Sequence, residues 1–175
     1  MDVIKLSENS IKIKGKKASF IVDPSNNMPK NIADAIVLLS NKVPDLDKVE
    51  GYRVVISGSG EYEVGRVKIN GISTNDGLVY SFLIDGIDLL LGKATDLNSI
   101  ADKNQEHKVV IIMADLEIKE SVVTTIEPRL VILYGEKKDI AIKALGKEKG
   151  EVEFSKKLSF NEDRLPEEMG VAVLS

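Results

Sequence analysis

The stretch Ser57-Gly58-Ser59-Gly60-Glu61-Tyr62-Glu63-Val64, followed closely by Val67-Lys68-Ile69-Asn70-Gly71-Ile72, sets the character of the chain. Side chains along an extended strand point alternately to opposite faces. Glu61 and Glu63 therefore share one face and Tyr62 takes the other. The two glutamates read as a solvated face and the tyrosine as a packing residue, not as an acid/base pair. Gly58-Ser59-Gly60 lacks the Lys-Ser/Thr that a phosphate-binding loop requires. One β-strand is expected over 64–72. Working outward, short β-type runs bounded by turn residues occur at 10–14, 18–22, 52–56, 78–84 and 87–91. Asp85-Gly86 marks a tight hairpin between the last two. The continuous apolar run 35–39 predicts a strand buried on both faces.

The second half changes rhythm. Buried strands are expected at 109–113 and 130–133, each preceded by residues of helical spacing at 97–104 and 119–126. The second of these helices should stop before Glu127-Pro128, because a residue preceding proline is pushed out of the α region. The spacing predicts a third helix over 137–145, with Ile140, Ala141, Ala144 and Leu145 on one face and Gly146 as its stop. Closing strands are expected at 151–154 and 170–174. Antiparallel strands followed by βα units describe an α/β sandwich of two mainly antiparallel sheets. One domain over 1–175 is expected.

Composition removes much chemistry at once. The chain of 175 residues has no cysteine, which excludes disulfides, thiolate catalysis and cysteine-based metal or haem sites. A single histidine, His107, excludes any site that needs two. With Lys+Arg 24 against Asp+Glu 28 and a net charge of −4, no basic surface for phosphate backbones is expected, so no nucleic-acid partner. The longest apolar runs fall far short of the roughly 20 residues of a membrane span. With no basic-then-apolar leader visible, a cytoplasmic protein without membrane contact is expected.

Ser57–Val64 with Val67–Ile72 resembles the G-P-G-E-Y-E-V…G-I stretch of small metallo-β-lactamase-fold, metal-dependent hydrolases, relatives of ascorbate-6-phosphate lactonase. Ile21-Val22-Asp23-Pro24 is similar to that family's I-D-P, and Ala35-Ile36-Val37-Leu38-Leu39-Ser40 to the strand that delivers its main metal motif. Leu165-Pro166-Glu167-Glu168 and Val171-Ala172-Val173-Leu174 fit its ending. The resemblance implies an α/β fold: a four-layer αββα sandwich of the metallo-β-lactamase type, reduced in helices.

It also implies where a metal site should lie, and there this sequence departs. After Ser40 the family has H-x-H-x-D-H; here the residues are Asn41, Lys42, Val43, Pro44, Asp45 and Leu46, and only the aspartate is kept. The family's later G-D aligns with Gly92-Lys93, so a carboxylate has become a cation. Its last histidine falls near Gly135, and its early G-H-S aligns with Ser7-Glu8-Asn9. His107 lies away from all of these. The positions Glu8, Asn41, Val43, Asp45, Leu46, Lys93 and Gly135 thus outline a vestigial cleft with no catalytic residue, no metal ligand set and no cofactor. Removing two dications while leaving facing carboxylates would bring like charges together. The Lys93 ammonium is therefore expected to face Asp45, with Glu8 as a second partner.

Each of these has a simpler structural reading: Asp45 accepting loop N–H bonds, Lys93 solvated, His107 on the surface. The functional expectation is a metal-free, catalytically inactive scaffold for binding or assembly, whose partner is a second copy or another protein. Two alternatives stay open. One is a hydrolase of phosphorylated or lactone-like small molecules using Lys93, Asp45 and Glu8 without zinc. The other is a small-anion sensor.

Overall fold

Short alternating segments give the first half its strands. In the computed structural model, which describes residues 1–40, 44–101 and 106–175, these are β1 (Asp2–Lys5), β2 (Ile11–Lys14), β3 (Ser19–Val22), β4 (Asn31–Ile32), β5 (Ala35–Val37), β6 (Val49–Glu50) and β7 (Val54–Ile56). A continuous hairpin series follows: β8 (Gly60–Val64), β9 (Val67–Ser73), β10 (Leu78–Ile84) and β11 (Ile87–Lys93). Then come α1 (Ala94–Ser99), β12 (Val109–Met113), α2 (Glu120–Ile126), β13 (Leu130–Tyr134) and α3 (Lys138–Ala144). The chain ends in β14 (Glu153–Ser155), β15 (Lys157–Ser159) and β16 (Gly170–Leu174).

The predicted single strand over 64–72 is two strands. Gly65 and Arg66 both take positive φ, +56° and +66°, and turn β8 back on β9. Two consecutive left-handed residues make the hairpin turn whose twist matches the strands it joins. Gly65 also lies against the neighbouring sheet, where a Cβ would sit 2.7 Å from the Lys17 carbonyl oxygen.

Two sheets face each other. The six-stranded sheet has the order β15-β1-β2-β3-β5-β7, and the eight-stranded one β14-β16-β13-β12-β11-β10-β9-β8. The smaller sheet is mainly antiparallel, in three of its five pairings, as expected, whereas the larger is parallel in four of its seven, which corrects the expectation for that sheet. β3-β5-β7 run parallel in the first sheet, and β11-β12-β13-β16-β14 run parallel in the second. The helical crossovers through α1 and α2 return the chain in the same direction, so each adds a parallel neighbour to the larger sheet.

Alternate residues of the two sheets fill the interlayer, among them Ile13, Phe20, Val37, Tyr80, Phe82, Leu91, Ile111 and Ile132. Phe20 and Phe82 meet edge-to-face across it with ring centroids 5.5 Å apart. Burying an aliphatic or aromatic side chain of this kind stabilises the fold by roughly 1.5–3 kcal/mol. The other face of the larger sheet packs on the helices through Val110, Ile112, Val131 and Leu133 against Leu97, Val122, Val123 and Ile142. The outer face of the smaller sheet is covered without a helix: Met28, Ala33, Val49 and Leu46 pack over Ile21 and Ile36, around the two-stranded pair β4-β6. Among the described residues the helices therefore lie on one side only, as expected of a sandwich reduced in helices.

Helix α2 ends at Glu127, which takes φ +51° directly before Pro128. Helix α3 forms where expected but presents a different face. Ile142 is 1% exposed and Ile140 44%, because Ala141, Ile142 and Leu145 face the sheet. Among the described residues no helix is long and apolar enough to cross a membrane.

Candidate functional site: a lysine-bearing cleft at the strand ends

Strand direction decides where side chains converge. β11 and β12 are parallel and in register, so Lys93 at the end of one lies beside Met113 at the end of the other, and Met113 beside Tyr134 at the end of β13. Leu89 and Leu91 belong to the interlayer core, and period two places Lys93 on the same face. Lys93, Met113 and Tyr134 form one row at the edge of the interlayer. Across it, β3 ends at Val22, and Asp23 turns the chain with φ +43°.

A cavity of about 230 Å³ opens between these two edges. Its polar wall is Asn9, Asp23, Ser40 and Lys93, and its apolar wall is Pro24, Leu38, Pro44 and Met113. The Asp23 carboxylate Oδ1 accepts the Leu39 N–H at 3.0 Å, and its backbone carbonyl accepts the Ser10 hydroxyl at 2.6 Å. The Leu39 carbonyl oxygen in turn accepts the Leu78 N–H at 3.1 Å, and the Leu38 carbonyl the Tyr80 hydroxyl at 3.1 Å. The strand end that leads into the cleft is thus held from both sheets.

A second acid lies close by. Asp96, on α1 just after Lys93, is 1% exposed. Its Oδ1 accepts the Thr74 hydroxyl, while Oδ2 has no hydrogen-bond partner. Burial raises its pKa, with Asp115 and Asp76 adding to the effect and Thr74 and Lys93 opposing it. Gly77 permits the approach: a Cβ there would stand 2.6 Å from Oδ2 and 2.5 Å from the Leu39 carbonyl oxygen. The Tyr134 hydroxyl is also buried and without a partner among the described residues.

The expected cleft positions divide. Lys93 lines the cavity, with Ser40 and Asn9, the sequence neighbours of other expected positions. Asn41 and Val43 lie outside the described residues. Glu8 points elsewhere, with its carboxylate 2.7 Å from Lys138 Nζ and 3.2 Å from Lys5 Nζ. The Lys138 bond holds the Glu8 carboxyl below its usual range. Gly135, with φ +98°, offers its carbonyl to the same Lys138 Nζ at 3.2 Å. Asp45 accepts the Asp47 N–H at 3.1 Å, and Leu46 packs on the covered face of the smaller sheet.

The expected Lys93–Asp45 pair is not formed. No ion pair within 4.0 Å joins Lys93 to Asp45 or Glu8. Asp45 is spent on its own turn, and Glu8 has two nearer lysines. His107 is half-buried at the opposite end of β12 from Met113, its Nε2 2.8 Å from Ser81 Oγ, rather than simply exposed. Asp23, Asp96 and Tyr134 were not singled out by the sequence. Asp23 alone carried a signal, standing in the Ile21-Val22-Asp23-Pro24 resemblance.

No protein-family model matches the sequence, and no curated protein does. Solved structures do. A protein from Thermotoga maritima, described as a Zn-dependent hydrolase of the metallo-β-lactamase superfamily, superposes with a TM-score of 0.75 at 17% identity, over 98% of this chain and 97% of its own. This chain has the metallo-β-lactamase fold. The metallo-β-lactamase-fold protein YhfI from Bacillus subtilis agrees with a TM-score of 0.58 at 8% identity, over 98% of this chain and 95% of its own. A protein from Parabacteroides distasonis described as a metal-dependent hydrolase also reaches 0.58, at 12% identity, over 97% and 91%.

The metal implied by those names can be tested against the donors present. Zinc takes imidazole, thiolate or carboxylate ligands, four in a closed site and three in a catalytic one. The cavity wall supplies one carboxylate, already bonded to a backbone N–H, and an ammonium. Among the described residues no three His, Cys, Asp or Glu side chains are placed to hold a metal together. The described donor set does not fit a zinc centre.

Proposed function

We propose that this protein is a metal-independent member of the metallo-β-lactamase fold, a binding or assembly scaffold without hydrolytic turnover. Lys93 carries the reading. It stands at the end of β11, on the interlayer face and in the cavity wall, where the resemblance calls for a bridging carboxylate. A fixed positive charge there opposes a dication instead of ligating one. The other wall residues do not compensate, since they offer an amide, a hydroxyl, one occupied carboxylate and apolar groups. The lone histidine at the far end of β12 cannot reach the same cavity without refolding the sheet. Assembly with a second copy or a protein partner belongs to this reading as its scaffold role.

The test is metal content by mass spectrometry on protein expressed with added zinc, iron and manganese, with lactonase and phosphodiesterase assays on the same preparation. Substoichiometric metal and background turnover are expected. One equivalent of a transition metal, or turnover abolished by Lys93→Ala, would overturn the reading.

A further inference from the structure

The cavity has donors to spare and acceptors already in use. Among the described residues the side chains of Lys93, Asn9 and Ser40 make no hydrogen bond, although all three line it. Its one wall carboxylate, Asp23, has an oxygen occupied by the Leu39 N–H. The row that carries Lys93 continues through Met113 to Tyr134, whose buried hydroxyl is unpartnered. A buried polar group without a partner costs about 1–3 kcal/mol, and such groups in native structures call for an explanation. The half-buried Lys93 ammonium lines the cavity without an acceptor among the described residues, while the buried Tyr134 phenol of the same row lies outside the lining. The remaining wall, Pro24, Leu38, Pro44 and Met113, is apolar. Ligand pockets have this make-up, an apolar lining with a few convergent polar groups.

Resting on the metal-independent reading, we propose that the cavity binds a small organic oxyanion, a carboxylate or phosphate ester. Its charged oxygens meet the Lys93 ammonium, and its carbon body lies on Leu38, Pro44 and Met113. At about 230 Å³ the cavity is smaller than the roughly 300–1,000 Å³ of pockets for drug-sized molecules, so the ligand has only a few carbon atoms. An ammonium with an oxyanion is a charge-assisted pair, about twice as strong as a neutral hydrogen bond. Asn9 and Ser40 add neutral donors at the same wall.

Isothermal titration and thermal unfolding with inorganic phosphate, sulfate, acetate, butyrate and glycerol phosphate, each against chloride at equal ionic strength, decide the matter. A saturable rise in Tm is expected for an organic oxyanion, with affinity falling roughly tenfold or more in Lys93→Met and several-fold in Ser40→Ala. Ser40→Ala removes only a hydroxyl that makes no hydrogen bond among the described residues and should fold. Lys93→Gln serves if Lys93→Met does not. No saturable shift with any probe overturns the proposal, as does equal affinity in either variant, or binding of inorganic ions alone. Metal content measured on the same samples separates the two failures. Metal-free protein that binds no oxyanion loses this inference only, whereas stoichiometric metal removes the reading beneath it.

Discussion

Asp96 shows at the level of one residue how burial sets chemistry. Its carboxyl is fully buried, with one oxygen bonded to Thr74 and the other unsatisfied, and its pKa is raised mainly by desolvation. The charged groups acting on it are Lys93, which favours ionisation, and Asp115 and Asp76, which oppose it. A carboxyl whose folded pKa exceeds its unfolded value keeps its full stabilising contribution below the unfolded value. That contribution is lost as pH rises through the folded pKa. Stability should therefore fall as pH climbs from near 3.8 through the raised value. Asp96→Asn keeps the shape and an acceptor for Thr74 but cannot ionise. Denaturant melts at a series of pH values should show it gaining on the parent as pH rises, by about 1–3 kcal/mol at the plateau, the cost of an unsatisfied buried polar atom. A constant difference at all pH values would show that Asp96 does not titrate in that range. Sequence could not expose this residue, because its depth comes from the meeting of α1 with the turns at Thr74–Gly77 and Leu39. The turn role of Asp45 was legible, since an aspartate before a short polar run bonds its own backbone two residues on.

Single elements record what local pattern can and cannot decide. The strands at Leu78–Ile84, Val109–Met113 and Gly170–Leu174 coincide with the expected runs, because buried β-rich segments bounded by turns leave little choice. The run 64–72 misled because Gly65-Arg66 is an unusual turn pair, legible only once both φ values are known to be positive. Helix α3 misled differently. Ile140 and Ile142 are both apolar, and periodicity allows either to join Ala141 and Leu145 on a buried stripe. Docking against β13 selects Ile142. Chemical denaturation should register this directly. Ile142→Ala is expected to cost about 2–5 kcal/mol, the range for large-to-small core substitutions. Ile140→Ala should stay within about 0.5 kcal/mol. A reversal of that order would mean that the helix docks by the face the sequence alone suggested.

Across the whole molecule, the question is what joins two sheets at the cleft when the described residues supply no metal site. The interlayer core holds them along their length, but cores end where side chains meet solvent. Among the described residues, contacts that cross between strand systems at that end include the Tyr80 hydroxyl on the Leu38 carbonyl at 3.1 Å, the Leu78 N–H on the Leu39 carbonyl at 3.1 Å, and Glu8 on Lys138 at 2.7 Å. They differ in weight. Tyr80 is fully buried, and burial pushes its hydroxyl well above the usual phenol range, so it stays a donor at any working pH. Tyr80→Phe deprives a buried carbonyl of its near partner and should cost about 1–3 kcal/mol. Glu8 is 43% exposed, and its pair should be worth about 1 kcal/mol or less. Its carboxyl titrates below its ordinary value, so that small share is present above about 4.5 and is lost as pH falls through the lowered folded pKa. If these bonds and the core are what close the cleft end, a strong chelator should leave the parent Tm unchanged. Tyr80→Phe should lower it by several degrees, since 1 kcal/mol corresponds to roughly 2–8 °C for domains of about 60–250 residues. A chelator-sensitive parent whose Tm survives Tyr80→Phe would assign the closure to a bound ion instead.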